Sequence, residues 1–158
     1  MLEHSESTLH IPAPAPCVVE VIVDFAAYPQ WAHGVREARV LSTEGDEWPD
    51  RVRFDVTAGI IRDRYVLDYD WQLDVTGTGT VSWKMVHGAT LRSLQGSYAL
   101  SAGRSGTTVT HRLSMQPAVP MLRALRRKTE QLVITSALGG LHRRVLAVQP
   151  VVADGEMA

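Results

Sequence analysis

The sequence predicts an α+β fold, a curved antiparallel sheet of about seven strands whose apolar face wraps one long C-terminal helix. Three observations predict it. Period-two alternation of apolar and polar residues recurs from residue 35 to residue 115, broken by short Gly-rich turns. A proline-punctuated segment, Pro12, Pro14 and Pro16, separates one leading strand from a short helical region. A helical pattern then fills residues 120–148.

The elements follow in order. Residues 6–11 alternate, with Leu9 and Ile11 on one face, and read as a strand that Pro12 ends. The run after Pro16 is rich in β-branched residues, which favour a strand. Val18, Val21, Ile22 and Phe25 nevertheless fall at i, i+3, i+4 and i+7, and a proline near the start suits a helix first turn, so the segment is assigned as helix. Tyr28-Pro29 is expected to stop it, with a second short helix over 29–33. Strands are expected at 35–43, 51–58, 62–72 and 80–87, then around Leu94–Leu100 and Val109–Met115. Turns are expected at Gly45–Asp50, Thr76–Thr80, His87-Gly88 and Gly103–Gly106. In the last helix, roughly 40 Å long, Leu122, Leu125, Thr129, Leu132, Val133, Ser136, Gly140, Leu141 and Val145 form the expected inner stripe. One domain is expected over 1–158, with a core at 7–148 and a loose tail at 149–158.

Composition narrows the function. A net charge of -1 argues against a general nucleic-acid binder. The single cysteine, Cys17, forms no intramolecular disulfide, and its position on a half-apolar helix reads as packing. The polar, acidic opening residues are unlike a signal peptide, and no apolar run approaches a membrane span, so the expected location is cytoplasmic. The expected state is a monomer or weak homodimer. Residues 119–148 hold six Arg and Lys against Glu130 alone, a local +5, which reads first as a solvated helix face and second as a patch for peripheral membrane contact.

Signatures of catalysis are missing. Gly103-Arg104-Ser105-Gly106 reads as a hairpin turn and not a nucleophile elbow. Thr76-Gly77-Thr78-Gly79 is too short for a phosphate loop and no helix follows it. The six histidines show no metal-ligand spacing, and no cofactor is implied. What remains is a set that falls in register on the concave face: Tyr69, Trp71, Trp83, Tyr98, His111 and Met115. Buried phenol, indole and imidazole groups need hydrogen-bond partners, which a ligand or water in a cavity supplies. Small residues on the facing helix, Thr129, Ser136 and Gly140, are expected to leave that space unfilled. Trp31 is read either as a gate at the mouth or as a staple packing its turn onto the sheet.

At this point the chain resembles the START-like, or helix-grip, superfamily, and within it the bacterial polyketide cyclase/dehydrase-like and lipid-transport group. The resemblance is carried by Ile11-x-Ala13-Pro14-Ala15-x-x-Val18-x-x-Val21 and Asp24-Phe25-x-x-Tyr28-Pro29-x-Trp31. It continues in Tyr65-x-x-Asp68-Tyr69-x-Trp71, Gly96-x-Tyr98-x-Leu100, Gly106-Thr107-x-Val109-Thr110 and the closing Gly140-Leu141. It implies the fold and an internal cavity, and carries over no catalytic set. Three functions are open. The first is binding or carriage of a hydrophobic small molecule, lipid or polyketide-like, oriented by a few polar groups. The second is an aromatase/cyclase folding a poly-β-ketone, with His111 as candidate acid/base and Tyr69 or Tyr98 polarising a carbonyl. The third is a non-enzymatic regulatory or membrane-associated role.

Overall fold

The computed structural model describes residues 4–44, 48–58 and 61–148. The chain runs β1 (Ser5–Ile11), α1 (Ala15–Val23), a 3-10 turn (Phe25–Ala27), α2 (Tyr28–Trp31), β2 (Val35–Glu44), β3 (Trp48–Ala58), β4 (Ile61–Leu73), β5 (Gly79–Gly88), β6 (Leu91–Gly103), β7 (Gly106–Pro117) and α3 (Arg123–Val148). The seven strands form one antiparallel sheet in the order β1-β7-β6-β5-β4-β3-β2. Strands β2 to β7 are a meander of hairpins, and β1 returns to pair with β7. The expected tail at 149–158 and the first half of the expected 45–50 turn lie outside the described residues.

The first helix is helical despite its valines because Val18, Val21 and Ile22 point to one buried side, with Pro14 and Pro16 fixing its entrance. It ends at Val23, where Asp24 takes φ -84° and ψ 73°, earlier than the sequence suggests. Tyr28-Pro29 does not stop α1. It opens α2, with the proline in the first turn, where its missing N–H has no intrahelical partner to lose. Residues 48–50 also depart from expectation, being strand and not turn. Thr43 pairs with Pro49, while β3 meets β4 only from Arg51 onward, so the proline removes no ladder bond on that side.

Buried polar groups fix two junctions. Asp63, 4% exposed, accepts the backbone N–H groups of Arg64, Ala89 and Thr90 on Oδ1 and that of Leu91 on Oδ2, at 2.7 to 3.2 Å. It thereby holds the β5–β6 turn. Glu130 of α3 is equally buried and accepts the Ser5 hydroxyl at 2.7 Å and the Met115 N–H at 2.8 Å, pinning the helix to β1 and β7. At the β4–β5 turn Asp74 accepts from the Thr76 hydroxyl and from the N–H groups of Thr76 and Thr78. Those bonds, the Thr76 hydroxyl first, hold its carboxyl below the usual range. Gly77 there sits at φ 87° against Ala15, so the Thr-Gly-Thr-Gly run is a turn packed on α1.

The inner stripe of α3 differs from expectation in its first half. The buried residues are Glu130, Ile134, Leu138, Gly140, Leu141 and Val145. Leu122 lies before the helix at 79% exposure, and Leu125, Leu132 and Val133 face solvent. The helix is phased by the Glu130 carboxylate and by apolar packing from Ile134 onward, each buried Leu, Ile or Val there contributing roughly 1.5–3 kcal/mol. The small residues do not open a cavity either. Ser136 is exposed, Thr129 bonds its hydroxyl to the Leu125 carbonyl, and Gly140 is covered by Trp31.

Candidate functional site

Antiparallel register places the sequence-predicted residues side by side. Trp71, Val81, Tyr98 and His111 are successive cross-strand partners over β4, β5, β6 and β7. The neighbouring row is Tyr69, Trp83, Gly96 and Leu113. Partners directly opposite share a face, so both rows line one wall. Gly96 is required in it: a Cβ there would come within 2.8 Å of the Trp83 ring and 2.7 Å of the Arg112 carbonyl. Its absence lets the indole lie across β6.

The rings form a continuous surface. Tyr69 and Trp71 stack at 5.6 Å between centroids, and Tyr69 lies 5.7 Å from Trp83. Trp83 lies 5.1 Å from Tyr98 and 5.7 Å from His111, and Tyr98 and His111 are 4.6 Å apart. Met115, on the same face of β7, is buried against Leu94 and gives its N–H to Glu130. Helix α3 packs chiefly on β1, β7 and α1, so the β3–β4 part of the wall is faced by other groups. Phe25 sits 4.9 Å from Tyr69 and meets Phe54 edge-on at 6.0 Å, and Tyr28 lies 5.9 Å from Phe54. Phe25, Tyr28, Phe54 and Tyr65 therefore belong to the aromatic set. Their positions in apolar alternation or helical spacing were visible in the sequence, but the packing of the α1–α2 segment onto β3 and β4 was not.

Polar groups in the wall divide into two kinds. Trp71 donates its indole N–H to the Pro49 carbonyl at 2.6 Å, and Tyr28 donates its hydroxyl to the Ile22 carbonyl at 2.6 Å. These are satisfied by the protein. His111 is 3% exposed, and neither ring nitrogen has a hydrogen-bond partner among the described residues. Burial pushes its pKa down to about 4, with a weak opposing pull from the Ile134 backbone at geometry short of a hydrogen bond, so the imidazole is neutral at pH 7. Burial also raises the hydroxyl pKa values of Tyr65, Tyr69 and Tyr98 well above their ordinary range, keeping these groups as neutral donors. Tyr65, Tyr69, Trp71 and Trp83 keep partial exposure although they face inward.

Trp31 stands at the other end of the aromatic series. Its ring lies 4.7 Å from Tyr28 and covers Gly140 of α3, where a Cβ would meet the Trp31 carbonyl at 2.5 Å. The ring thus acts as a staple, but onto helix α3 at a glycine and not onto the sheet as expected. The Trp31 indole nitrogen is buried with no hydrogen-bond partner among the described residues, and the residue borders an open groove of about 400 Å³ lined also by His33, Gly34, Thr57 and Arg143. Among the described residues no three His, Cys, Asp or Glu side chains converge to hold a metal, and no helix is long and apolar enough to cross a membrane.

Solved structures share this architecture. A START superfamily protein from Mycobacterium smegmatis superposes with a TM-score of 0.84 at 17% identity, over 92% of this chain and 99% of that one. A protein from Thermus thermophilus gives 0.77 at 22% identity, over 94% and 100%. The Zhui aromatase/cyclase from a Streptomyces species gives 0.71 at 16% identity, over 93% of each chain. At these identities the likeness is one of fold. No curated protein matches the chain. The family described as polyketide cyclase / dehydrase and lipid transport matches residues 11–141, most of the sequence and strands β2 to β7 with the last residue of β1, and the chain belongs to that family.

Proposed function

We propose that the chain binds a hydrophobic small molecule, lipid or polyketide-like, against the wall formed by Tyr69, Trp83, Tyr98 and His111, with Met115 and Trp71 as apolar flanks. The observation that carries this reading is the His111 imidazole, buried with neither nitrogen in a hydrogen bond of ordinary geometry among the described residues. Leaving such a group without a partner costs about 1–3 kcal/mol, and a ligand carbonyl or hydroxyl placed against the wall at His111 removes that cost. The aromatic faces supply apolar contact area, and the imidazole fixes orientation. Entry is by the groove at Trp31, with Phe25 and Tyr28 turning aside to admit the ligand. Trp31 thereby acts as a gate as well as a staple.

The test is native mass spectrometry after incubation with a host lipid extract and with a tricyclic aromatic ketone, paired with tryptophan fluorescence quenching by the ketone. A retained adduct and saturable quenching are expected, with His111→Leu weakening ketone binding about tenfold, the value of one lost hydrogen bond of roughly 1.4 kcal/mol. No adduct from either source and no quenching would contradict the proposal.

The juxtaposition of the Tyr98 phenol and the His111 ring favours a second reading, an aromatase/cyclase in which Tyr98 polarises a carbonyl and His111 moves a proton. The low basicity of His111 makes it a weak base at neutral pH, so binding is the first reading. Turnover of a short poly-β-ketone by the wild type and its loss in His111→Leu would establish the second; a bound but unconverted ketone would contradict it.

A further inference from the structure

The apolar and cationic surface at the start of α3 lies away from the aromatic wall and is not used by it. Here the ends of β6 and β7, residues 117–121 and the first turn of α3 enclose a groove of about 320 Å³. Arg92 lines it from the sheet and Arg126 from the helix, with no acidic residue among the lining groups. The Arg126 Nε has no accessible surface and no hydrogen-bond partner among the described residues. A guanidinium N–H removed from water and left unpaired is unfavourable, and its planar fork matches an oxyanion bidentately. Beside the groove, Val119, Leu122 and Leu125 are 68%, 79% and 51% exposed. These apolar side chains interleave with cations, including Lys128, in a segment whose one acid, Glu130, is turned inward to Ser5 and Met115.

We infer that this groove binds a phosphate-class anion carried on an apolar body, the headgroup of an anionic lipid at a bilayer surface. Two guanidinium groups, one of them holding an unmatched N–H, account for the anion. The exposed valine and leucines account for the apolar body, since a free phosphate has no use for them. The groove is separate from the proposed ligand wall, so the site stands whether or not the wall binds a small molecule.

The experiment uses the full chain with three probes: inorganic phosphate, followed by NMR at the Arg126 Nε–H signal; phosphatidylcholine vesicles; and the same vesicles containing phosphatidic acid, followed by co-sedimentation. Wild type is expected to shift the Arg126 signal with phosphate and to sediment with phosphatidic acid vesicles but not with phosphatidylcholine alone. R126Q and R92Q are each expected to weaken phosphatidic acid binding about tenfold, whereas R104Q removes the same charge from the distant β6–β7 hairpin and stays within about twofold. A double L122S/L125S variant is expected to keep the phosphate shift and lose the vesicles. Thermal melting first establishes that each variant is folded, and the exposed leucines provide a test independent of the half-buried Arg126. Three outcomes would overturn the inference: R126Q and R92Q binding phosphatidic acid vesicles as wild type does; R104Q losing as much as they do; or wild type binding phosphate while showing no preference for phosphatidic acid vesicles.

Discussion

Asp63 and His111 are both almost completely buried on the sheet, yet their surroundings are opposite. The Asp63 carboxylate accepts four backbone N–H groups and closes a turn. The His111 imidazole has no hydrogen bond of ordinary geometry among the described residues, only the pull of the Ile134 backbone, and the rings of Tyr98 and Trp83 stand beside it. Burial of a polar group is tolerated when its bonds are made. The carboxylate is therefore accounted for by architecture alone. The imidazole is not, and that contrast is what supports the binding site proposed at His111.

Substitution at each residue tests that contrast. Asp63→Ala strands several N–H groups at the β5–β6 turn and is expected to lower stability by about 4 kcal/mol, with Asp63→Asn in between; chemical denaturation measures both. A loss near zero would remove the architectural half of the comparison. Lowering the pH reads the other half. His111 has a pKa of about 4 in the folded chain against 6.5 as its ordinary value. Between these values the unfolded chain binds a proton that the folded chain does not. Stability is therefore unaffected by this group above pH 6.5, falls as the pH drops toward 4, and is lower by about 3 kcal/mol below that. The difference between wild type and His111→Leu isolates this term from the carboxylates, and a flat difference across that window would contradict the assigned environment. Glu130→Leu is next. It removes the bonds to Ser5 and Met115 but packs apolar bulk in their place, so a loss of about 2 kcal/mol is expected, with faster amide exchange in the first half of α3 than in the second.

Much of the fold was legible because its signals are local. Val52, Phe54, Leu67, Tyr69, Trp83, Tyr98 and His111 stand in plain alternation, and that alternation set both the strands and the shared face. The phase of α3 was not legible. Leu122, Leu125 and Leu132 offer a helical stripe as good as the true one, and the true one turns on Glu130, a carboxylate that no apolar pattern includes. Tyr28-Pro29 was ambiguous for a similar reason, since a proline ends one helix and opens another with equal ease. Within the site, register identified the wall. Which polar groups are satisfied depended on long-range partners: Trp71 is satisfied by Pro49, whereas His111 has only the Ile134 backbone, short of a hydrogen bond. The packing of Phe25 and Tyr28 onto Tyr69 and Phe54 likewise follows from tertiary contacts of a segment distant in sequence.

The smallest expected change in stability is the most decisive. His111→Leu replaces an unpaired imidazole by an apolar side chain, and its effects on thermal unfolding at pH 7 and on aromatic ketone binding are measured together. The account predicts that the variant is more stable by about 1 kcal/mol while binding weakens about tenfold. A variant that is destabilised and binds the ketone as tightly as wild type would show that His111 is there for packing, and would contradict the central claim.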